Sequence, residues 1–256
     1  MAARRYTLLD VFTGRALQGN ALAVVHDADD LDDATMLAFA RETRLSETTF
    51  VQPATVAGAD YRNRIWTVDR ELPFAGHPSL GTAVAVARAR GASGSLRLHQ
   101  QTGAGVQPID VELDGDRAYA SMLQEPASYG PEVERERALA AIGLTAADGD
   151  SELPPQIVST GLAQLIVPLR DRDAAARATP DYAAIGALLG AHDAVTLYAV
   201  ACVPDAERGK AHARSFAFSA AIGEDPATGS AAGPLAAYLW ERTRTPRLVI
   251  DQGVEM

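Results

Sequence analysis

The chain has 256 residues, enough for one large domain or two of ordinary size. Hydrophobic residues make up 47% and charged residues 22%, as is typical of folded globular proteins, and the net charge of -10 disfavours nucleic acid and anionic membranes as partners. The single cysteine excludes an intramolecular disulfide, and no apolar signal core or long apolar run is present. We therefore expect a cytoplasmic protein without a membrane span.

Short strands and two helices alternate along the first half. Strands are predicted over 6–12, 21–25, 47–51, 61–68, 95–101, 107–113 and 117–123, with helices over 33–44 and 78–90. Asp32 or Asp33 is the expected cap of the first helix, and Gly103-Ala104-Gly105 is a turn between strands. The first half is thus a strand-dominated α+β region in which Glu47 begins a strand.

The second half repeats this style. Strands are predicted over 156–159, 164–169, 195–202 and 211–217, with helices over 132–142, 182–189 and 230–242. Pro126, Gly130 and Pro131 indicate a linker, because few large apolar residues separate them. We predict an N-terminal domain over 1–126 and a C-terminal domain over 127–245, with 246–256 a candidate segment for return to the first domain.

An internal repeat supports two similar domains. Glu71-Leu72-Pro73-Phe74-Ala75-Gly76 and Glu224-Asp225-Pro226-Ala227-Thr228-Gly229 share the pattern Glu-x-Pro-x-x-Gly, and each precedes an alanine-rich helix. The alternative is coincidence, since proline and glycine are common before helices. If the two helix starts face one cleft, their unpaired N–H groups and positive ends would bind an anion without arginine or lysine.

Five sequence blocks resemble the PhzF-like proteins, which are relatives of diaminopimelate epimerase. The blocks are Gly19-Asn20-Ala21-Leu22-Ala23-Val24, Ser46-Glu47-Thr48-Thr49-Phe50-Val51, Glu71-Leu72-Pro73-Phe74-Ala75-Gly76-His77-Pro78, Ser159-Thr160-Gly161 and Glu224-Asp225-Pro226-Ala227-Thr228-Gly229-Ser230-Ala231. The resemblance implies an α+β fold of two diaminopimelate epimerase-like domains, each a curled, mostly antiparallel sheet around a central helix. It also implies an active site in the interdomain cleft and a homodimer.

Two features depart from the family pattern. Ala21 stands where the family usually has proline, which should only loosen that turn. The chain ends at Met256, where relatives typically continue through a Gly-Arg-Pro-Ser segment and a last strand. If that last strand belongs to the sheet of the first domain, the strand beside it would have an exposed edge here.

Glu47 is the first candidate for chemistry. The resemblance makes it the general acid/base that moves a proton between carbons of the substrate. Burial in a cleft with apolar neighbours would disfavour its charged form and suit it to both removing and returning a proton. The alternative interpretation is a solvated strand residue.

His77 and Asp225 are the other catalytic candidates. By resemblance, His77 hydrogen-bonds the substrate or steers the proton, and Asp225 orients a substrate amino or hydroxyl group opposite Glu47. The alternatives are a histidine that caps the helix and an aspartate in the turn before Pro226. The candidates for substrate binding are Asn20, which is otherwise a turn residue, and Gly76, Gly229 and Ser230, which offer backbone N–H groups to a carboxylate.

The absence of paired cysteines bears on the mechanism. Diaminopimelate epimerase and proline racemase use two facing thiols, whereas this chain has only Cys202, which we interpret as a buried inert thiol. No nucleotide-binding or flavin-binding motif and no paired metal-ligand spacing is present, so we expect neither cofactor nor metal. The predicted function is a cofactor-independent proton shift on a small unsaturated carboxylic acid. The alternative is a non-catalytic binding or protein-interaction module of the same fold.

Overall fold

The computed structural model describes residues 3–202, 209–218 and 223–256. The chain divides into two compact units, Met1–Leu123 and Gln124–Met256, so the division falls close to the predicted boundary at residue 126. None of the helices in the described ranges combines the length and apolar character that a bilayer crossing requires.

From residue 3 onward, unit 1 is a sheet of eight strands with two helices. The strands are β1 (Tyr6–Val11), β2 (Asn20–Val25), β3 (Glu47–Gln52), β4 (Tyr61–Trp66), β5 (Glu71–Leu72), β6 (Gly94–Thr102), β7 (Gly105–Asp114) and β8 (Arg117–Ser121), and the helices are α1 (Asp33–Thr43) and α2 (Gly76–Ala89). The sheet order is β1-β2-β3-β4-β6-β7-β8, with β5 paired to β4. Only β2–β3 and β4–β6 pair in parallel among these strands.

Local sequence explains both helices of unit 1. Asp32 caps α1, because its Oδ1 accepts from the Thr35 N–H at 2.8 Å, and the helix ends at Arg44 in the left-handed region. Helix α2 is rich in alanine and glycine and is buried along most of its length. It packs against β1, β2, β3, β7 and β8, so it is the central helix of a curled sheet.

Unit 2 is a sheet of seven strands with four helices in the described ranges. The strands are β9 (Ser128–Glu132), β10 (Gln156–Ser159), β11 (Ala163–Leu169), β12 (Thr196–Cys202), β13 (Lys210–Ala217), β14 (Glu224–Asp225) and β15 (Val249–Gln252). The helices are α3 (Arg135–Ala140), α4 (Arg172–Arg177), α5 (Tyr182–Gly190) and α6 (Gly229–Thr243), with a short 3₁₀ turn at Ala146–Asp148.

Helices cover both faces of this second sheet. One apolar cluster joins α3, α4 and α5 to alternate residues of β11, β12 and β13, among them Leu165, Leu197 and Phe216. The other cluster joins α6, through Leu235 and Tyr238, to the opposite face of the same strands. The strands are therefore buried on both sides, which explains the long apolar runs of β11 and β12.

The two units share one topology. The succession β1-β2-β3-β4-β5-α2-β6 recurs as β10-β11-β12-β13-β14-α6-β15, and every equivalent pair of strands runs in the same relative direction. The register also agrees, because Trp66 pairs with Glu71 as Phe216 pairs with Glu224. The repeated sequence pattern thus reflects a repeated structure.

A forked ion pair occupies the same place in both units. Arg64 binds Glu71 through Nε at 2.5 Å and Nη2 at 2.7 Å, and Arg214 binds Glu224 through Nε at 2.8 Å and Nη2 at 2.7 Å. Two parallel charge-assisted bonds fix the carboxylate geometrically. Each pair therefore ties β4 or β13 to the short segment that leads into the central helix of its unit.

Two predictions differ from the structure. Part of the predicted linker is a strand, and the C-terminal segment pairs within unit 2. Gly130 and Pro131 belong to β9, an edge strand, where a proline costs no ladder hydrogen bond. Within 246–256, β15 pairs with β13 of unit 2, with Ala213 opposite Gln252. The described pairing of this segment is thus within unit 2 rather than with the first domain.

We expect R214M to destabilise unit 2 more than R64M destabilises unit 1. Arg214 also donates to the carbonyls of Ala175 and Ala178, and Glu224 is only 15% exposed, so its loss leaves a buried carboxylate and two carbonyls without donors. Removing one partner of a buried pair costs about 3–5 kcal/mol. Glu71 is 36% exposed and can be solvated instead.

The measurement is urea unfolding followed by tryptophan fluorescence. Trp240 reports unit 2 in a W66F background, and Trp66 reports unit 1 in a W240F background, because each unit contains one of the two tryptophans. Equal losses in R214M and R64M would contradict the expectation.

Candidate active site

Glu47 is the first residue of β3, as predicted. Strand β3 runs parallel to β2 with Glu47 opposite Leu22, so the carboxylate lies beside the start of β2, where Asn20 is buried. The Ser46 hydroxyl donates to Asn20 Oδ1 at 3.5 Å. The Glu47 side chain is 17% exposed, which excludes the solvated-strand interpretation for this residue.

His77 lies next to this carboxylate. It is the second residue of α2, and its Nδ1 is 3.6 Å from Glu47 Oε2. Burial lowers the pKa of His77 to about 3, against a smaller opposing effect of a hydrogen bond with the backbone of Ala21. The ring is therefore neutral at neutral pH, and its contact with Glu47 is a polar contact rather than an ion pair. Ala75, not His77, occupies the N-cap position.

A chain of buried amides and hydroxyls holds the start of α2. Asn63 Nδ2 donates to Gln100 Oε1 at 3.2 Å, and Gln100 Nε2 donates to Ser79 Oγ at 2.7 Å. The Ser79 hydroxyl in turn donates to the carbonyl of Ala75 at 2.7 Å. The first turn of α2, with Gly76 and His77, is thereby fixed to strands β4 and β6 by directional bonds.

Asp225 and the start of α6 form the corresponding place in unit 2. Asp225 lies in β14, and its Oδ2 accepts from the Thr228 hydroxyl at 2.5 Å. Gly229 and Ser230 are the first two residues of α6. Gln124 Nε2 donates to the Gly229 carbonyl at 3.0 Å. Asp225 is thus held on the strand that precedes the helix start.

The helices of the described structure differ in capping, since α2, α3 and α6 lack a side-chain capping hydrogen bond. Aspartate side chains cap α1, α4 and α5. Neither Ala75 before α2 nor Thr228 before α6 makes a side-chain capping hydrogen bond in the described structure. The N-terminal turns of α2 and α6 are therefore suited to receive hydrogen-bond acceptors from a bound molecule.

The predicted site residues fall into two groups. Unit 1 brings together Asn20, Glu47, Gly76 and His77, and unit 2 brings together Asp225, Gly229 and Ser230. Sequence reasoning gave no role to Thr228 or Gln124, and it did not single out Gln252, which binds the same loop. Thr228 stood inside a recognised block, whereas Gln124 and Gln252 carried no motif.

Cys202 is unsuited to nucleophilic chemistry. Burial, with a smaller contribution from Asp150, raises the pKa of its thiol to about 11. The thiol is therefore protonated at neutral pH. Among the described residues, no group of three or more His, Cys, Asp and Glu side chains is placed to hold a metal ion.

Comparison with solved structures defines the fold class. The chain matches a PhzF-family phenazine biosynthesis protein from Bacillus anthracis with a TM-score of 0.85 and 28% identity, covering 98% of this chain and 86% of that one. A predicted epimerase from Pseudomonas aeruginosa matches with a TM-score of 0.81 and 37% identity, covering 93% and 82% of the two chains. A hydroxyproline epimerase from Agrobacterium vitis shares the fold at a TM-score of 0.63, with 15% identity and coverage of 93% and 78%. The fold is thus that of the diaminopimelate epimerase-like proteins.

Sequence comparison gives the family. The family model described as phenazine biosynthesis-like protein matches residues 9–256. Trans-2,3-dihydro-3-hydroxyanthranilate isomerase from Pseudomonas aeruginosa is 39% identical over 98% of this chain and 86% of its own length, and the enzyme of that name from Pseudomonas fluorescens is 37% identical over 98% and 84%. This chain belongs to the phenazine biosynthesis-like family, and it is an isomerase.

The neutral state of His77 predicts a pH dependence of stability. Its folded pKa of about 3 lies below the ordinary value of 6.5, so between these values the unfolded chain binds more protons at this residue. The contribution is complete above about pH 6.5 and is lost as the pH falls toward 3, with a slope of up to about 1.4 kcal/mol per pH unit. We expect H77N to lose this slope in urea unfolding measured between pH 7 and 4. The same pH dependence of stability in the wild-type protein and in H77N would contradict this expectation.

Proposed function

We propose that this chain catalyses a cofactor-independent proton shift on a small unsaturated carboxylic acid, with Glu47 as the proton carrier. The observation that carries the proposal is the pairing of the Glu47 carboxyl with a buried, neutral imidazole 3.6 Å away. A protonated imidazole there would favour the carboxylate strongly and make it a weak base. A neutral imidazole leaves the carboxyl group able both to accept and to return a proton.

The proton balance of the proposed reaction is simple. Glu47 removes a proton from one carbon of the substrate, and the electron pair moves along the adjoining double bond. The same carboxyl group then delivers a proton to a second carbon and returns to its ionised form. Substrate and product are isomers, so the reaction needs no oxidant, reductant or other co-reactant.

Each unit has its own proposed substrate-binding groups. The first backbone N–H groups of α2, at Gly76, and of α6, at Gly229 and Ser230, are each proposed as donors to a carboxylate. Support comes from the absence of a side-chain cap at both helix starts in the described structure. Asp225 accepts from a substrate amino or hydroxyl group, and Asn20, buried beside Ser46, supports the Glu47 side of the site.

The relatives supply the first substrate to test. The two Pseudomonas enzymes are named for trans-2,3-dihydro-3-hydroxyanthranilate, which carries a carboxylate, an amino group, a hydroxyl group and ring unsaturation. These groups match the contacts proposed for the helix starts, Asp225 and Glu47. We therefore propose cyclic unsaturated amino and hydroxy acids as the substrate class, with a homodimer in the cytoplasm as the working form.

E47Q should abolish isomerisation while leaving substrate binding nearly intact. The amide keeps the size of the side chain but cannot carry the proton, and the loss of a general acid/base costs about 100- to 10,000-fold in rate. The measurement is product formation and deuterium incorporation from D₂O with trans-2,3-dihydro-3-hydroxyanthranilate. The matched control is E42Q, because Glu42 is an exposed residue of α1.

Two results would overturn this proposal. An E47Q variant with the wild-type rate would exclude Glu47 as the proton carrier. A wild-type protein that incorporates no deuterium into any member of a panel of unsaturated amino and hydroxy acids would favour a binding module over the proposed chemistry.

Replacing the substrate carboxylate by a carboxamide should greatly weaken binding. The helix starts offer N–H donors and a partial positive charge, which an anion uses better than a neutral amide does. We expect KM to rise by about 10-fold or more, equivalent to about 1.4 kcal/mol. Equal KM values for the acid and the amide would contradict binding of the carboxylate at the helix starts.

A further inference from the structure

The Gln252 amide makes four hydrogen bonds, of which three reach the segment that carries Asp225 and one reaches Tyr198. Its Nε2 donates to the Asp225 carbonyl at 2.7 Å and to the Thr228 hydroxyl at 2.9 Å. Its Oε1 accepts from the Tyr198 hydroxyl at 2.9 Å and from the Thr228 N–H at 3.2 Å. Both donors and both acceptor positions of the amide are therefore used.

These bonds fix the direction of a hydrogen-bond chain. The two donors that reach Oε1 and the carbonyl that faces Nε2 allow only one orientation of the Gln252 amide. Because the Thr228 hydroxyl accepts from Nε2, its own proton points to Asp225 Oδ2, 2.5 Å away. The chain thus runs from Gln252 through Thr228 to the Asp225 carboxylate, which serves as the final acceptor.

The backbone brings Gln252 to this place by close approach. Strand β15 pairs with β13 and ends at Gln252, and Gly253 follows with φ +80°. A Cβ on Gly253 would lie 2.7 Å from the carbonyl oxygen of Pro226, so a larger residue would push β15 away from the loop. In unit 1, Gly103 approaches Pro73 in the equivalent way, but Thr102 stands where unit 2 has Gln252.

We infer that Gln252 is a positioning residue for the isomerase reaction, acting through Thr228 on the Asp225 carboxylate. This inference rests on the proposed function, in which Asp225 orients a polar group of the substrate. Tyr198 is fully buried and anchors the amide from the sheet, so the position of Asp225 is set by the core of unit 2. A small displacement of an orienting group is enough to cost up to about 100-fold in rate.

The first test measures the loop itself and needs no substrate. In hydrogen–deuterium exchange of the intact protein, Q252A should expose the Thr228 amide, because it removes the acceptor of that N–H. The exchange of peptides over 225–229 should rise, and peptides over β10 and β11 should stay unchanged. The control is D251N, an exposed neighbour in the same strand. Equal exchange over 225–229 in Q252A and D251N would overturn the inference.

The second test separates positioning from a loss of folded protein. We expect kcat to fall by about 10- to 100-fold in Q252A and T228V, with a smaller change in KM, at temperatures where circular dichroism shows each variant to be folded. T228S keeps the hydroxyl and should restore most of the rate that T228V loses. An unchanged kcat in Q252A, or a rate in T228S as low as in T228V, would overturn the role of the hydrogen-bond chain.

The two proposals fail in different ways. A wild-type rate in E47Q removes Glu47 as the proton carrier and with it the proposed function. An active enzyme that depends on Glu47 but not on Gln252 removes only the inference about Gln252.

Discussion

The forked pairing of an arginine with a glutamate is the interaction on which both halves of this molecule depend. Arg64 with Glu71 and Arg214 with Glu224 join a central strand to the short strand before the central helix. The guanidinium groups also lie over Trp66 and Phe216, at 5.6 and 5.0 Å from the ring centres. Desolvation of such charges is costly, so the bidentate geometry and the aromatic contact are needed to offset it. The position of each helix start follows from this pair.

The two helix starts lie at equivalent places in the repeated topology, but they carry different side chains. In unit 1 the hydrogen bonds among Asn63, Gln100 and Ser79 fix the helix, and His77 lies beside Glu47, the proposed proton carrier. In unit 2 Gln252 and Thr228 fix an acceptor carboxylate instead. A repeated fold has therefore diverged in its polar residues while keeping its strand register. The proposed mechanism has one base and so requires such a difference, whereas a mechanism with two bases needs an equivalent acid in each unit.

Most helices and strands could be predicted from local sequence. The elements that were missed are short, and the missed site residues depend on contacts between distant parts of the chain. The pattern around Glu47 predicts its place at a strand start, and Asp32 was one of two expected caps for α1. Strands β5 and β14 have two residues each, too few for any periodicity to show. The edge strand β9 contains Gly130 and Pro131, which a sequence reading takes for a linker. The six-residue helix α4 was also missed. The site residues missed from the sequence depend on distant pairings, since Gln252 reaches Asp225 only through the register of β15 on β13.

Burial of His77 is the step that links the packing of unit 1 to its chemistry. An exposed imidazole beside Glu47 would share its charge equilibrium and hold the carboxylate ionised over a wide pH range. With the ring 5% exposed and its Nε2 without a hydrogen-bond partner in the described structure, desolvation keeps it neutral instead. The first turn of α2 is buried as a whole, since Gly76, Pro78 and Ser79 are buried together with His77. The packing of α2 is thus part of what determines the protonation state of His77.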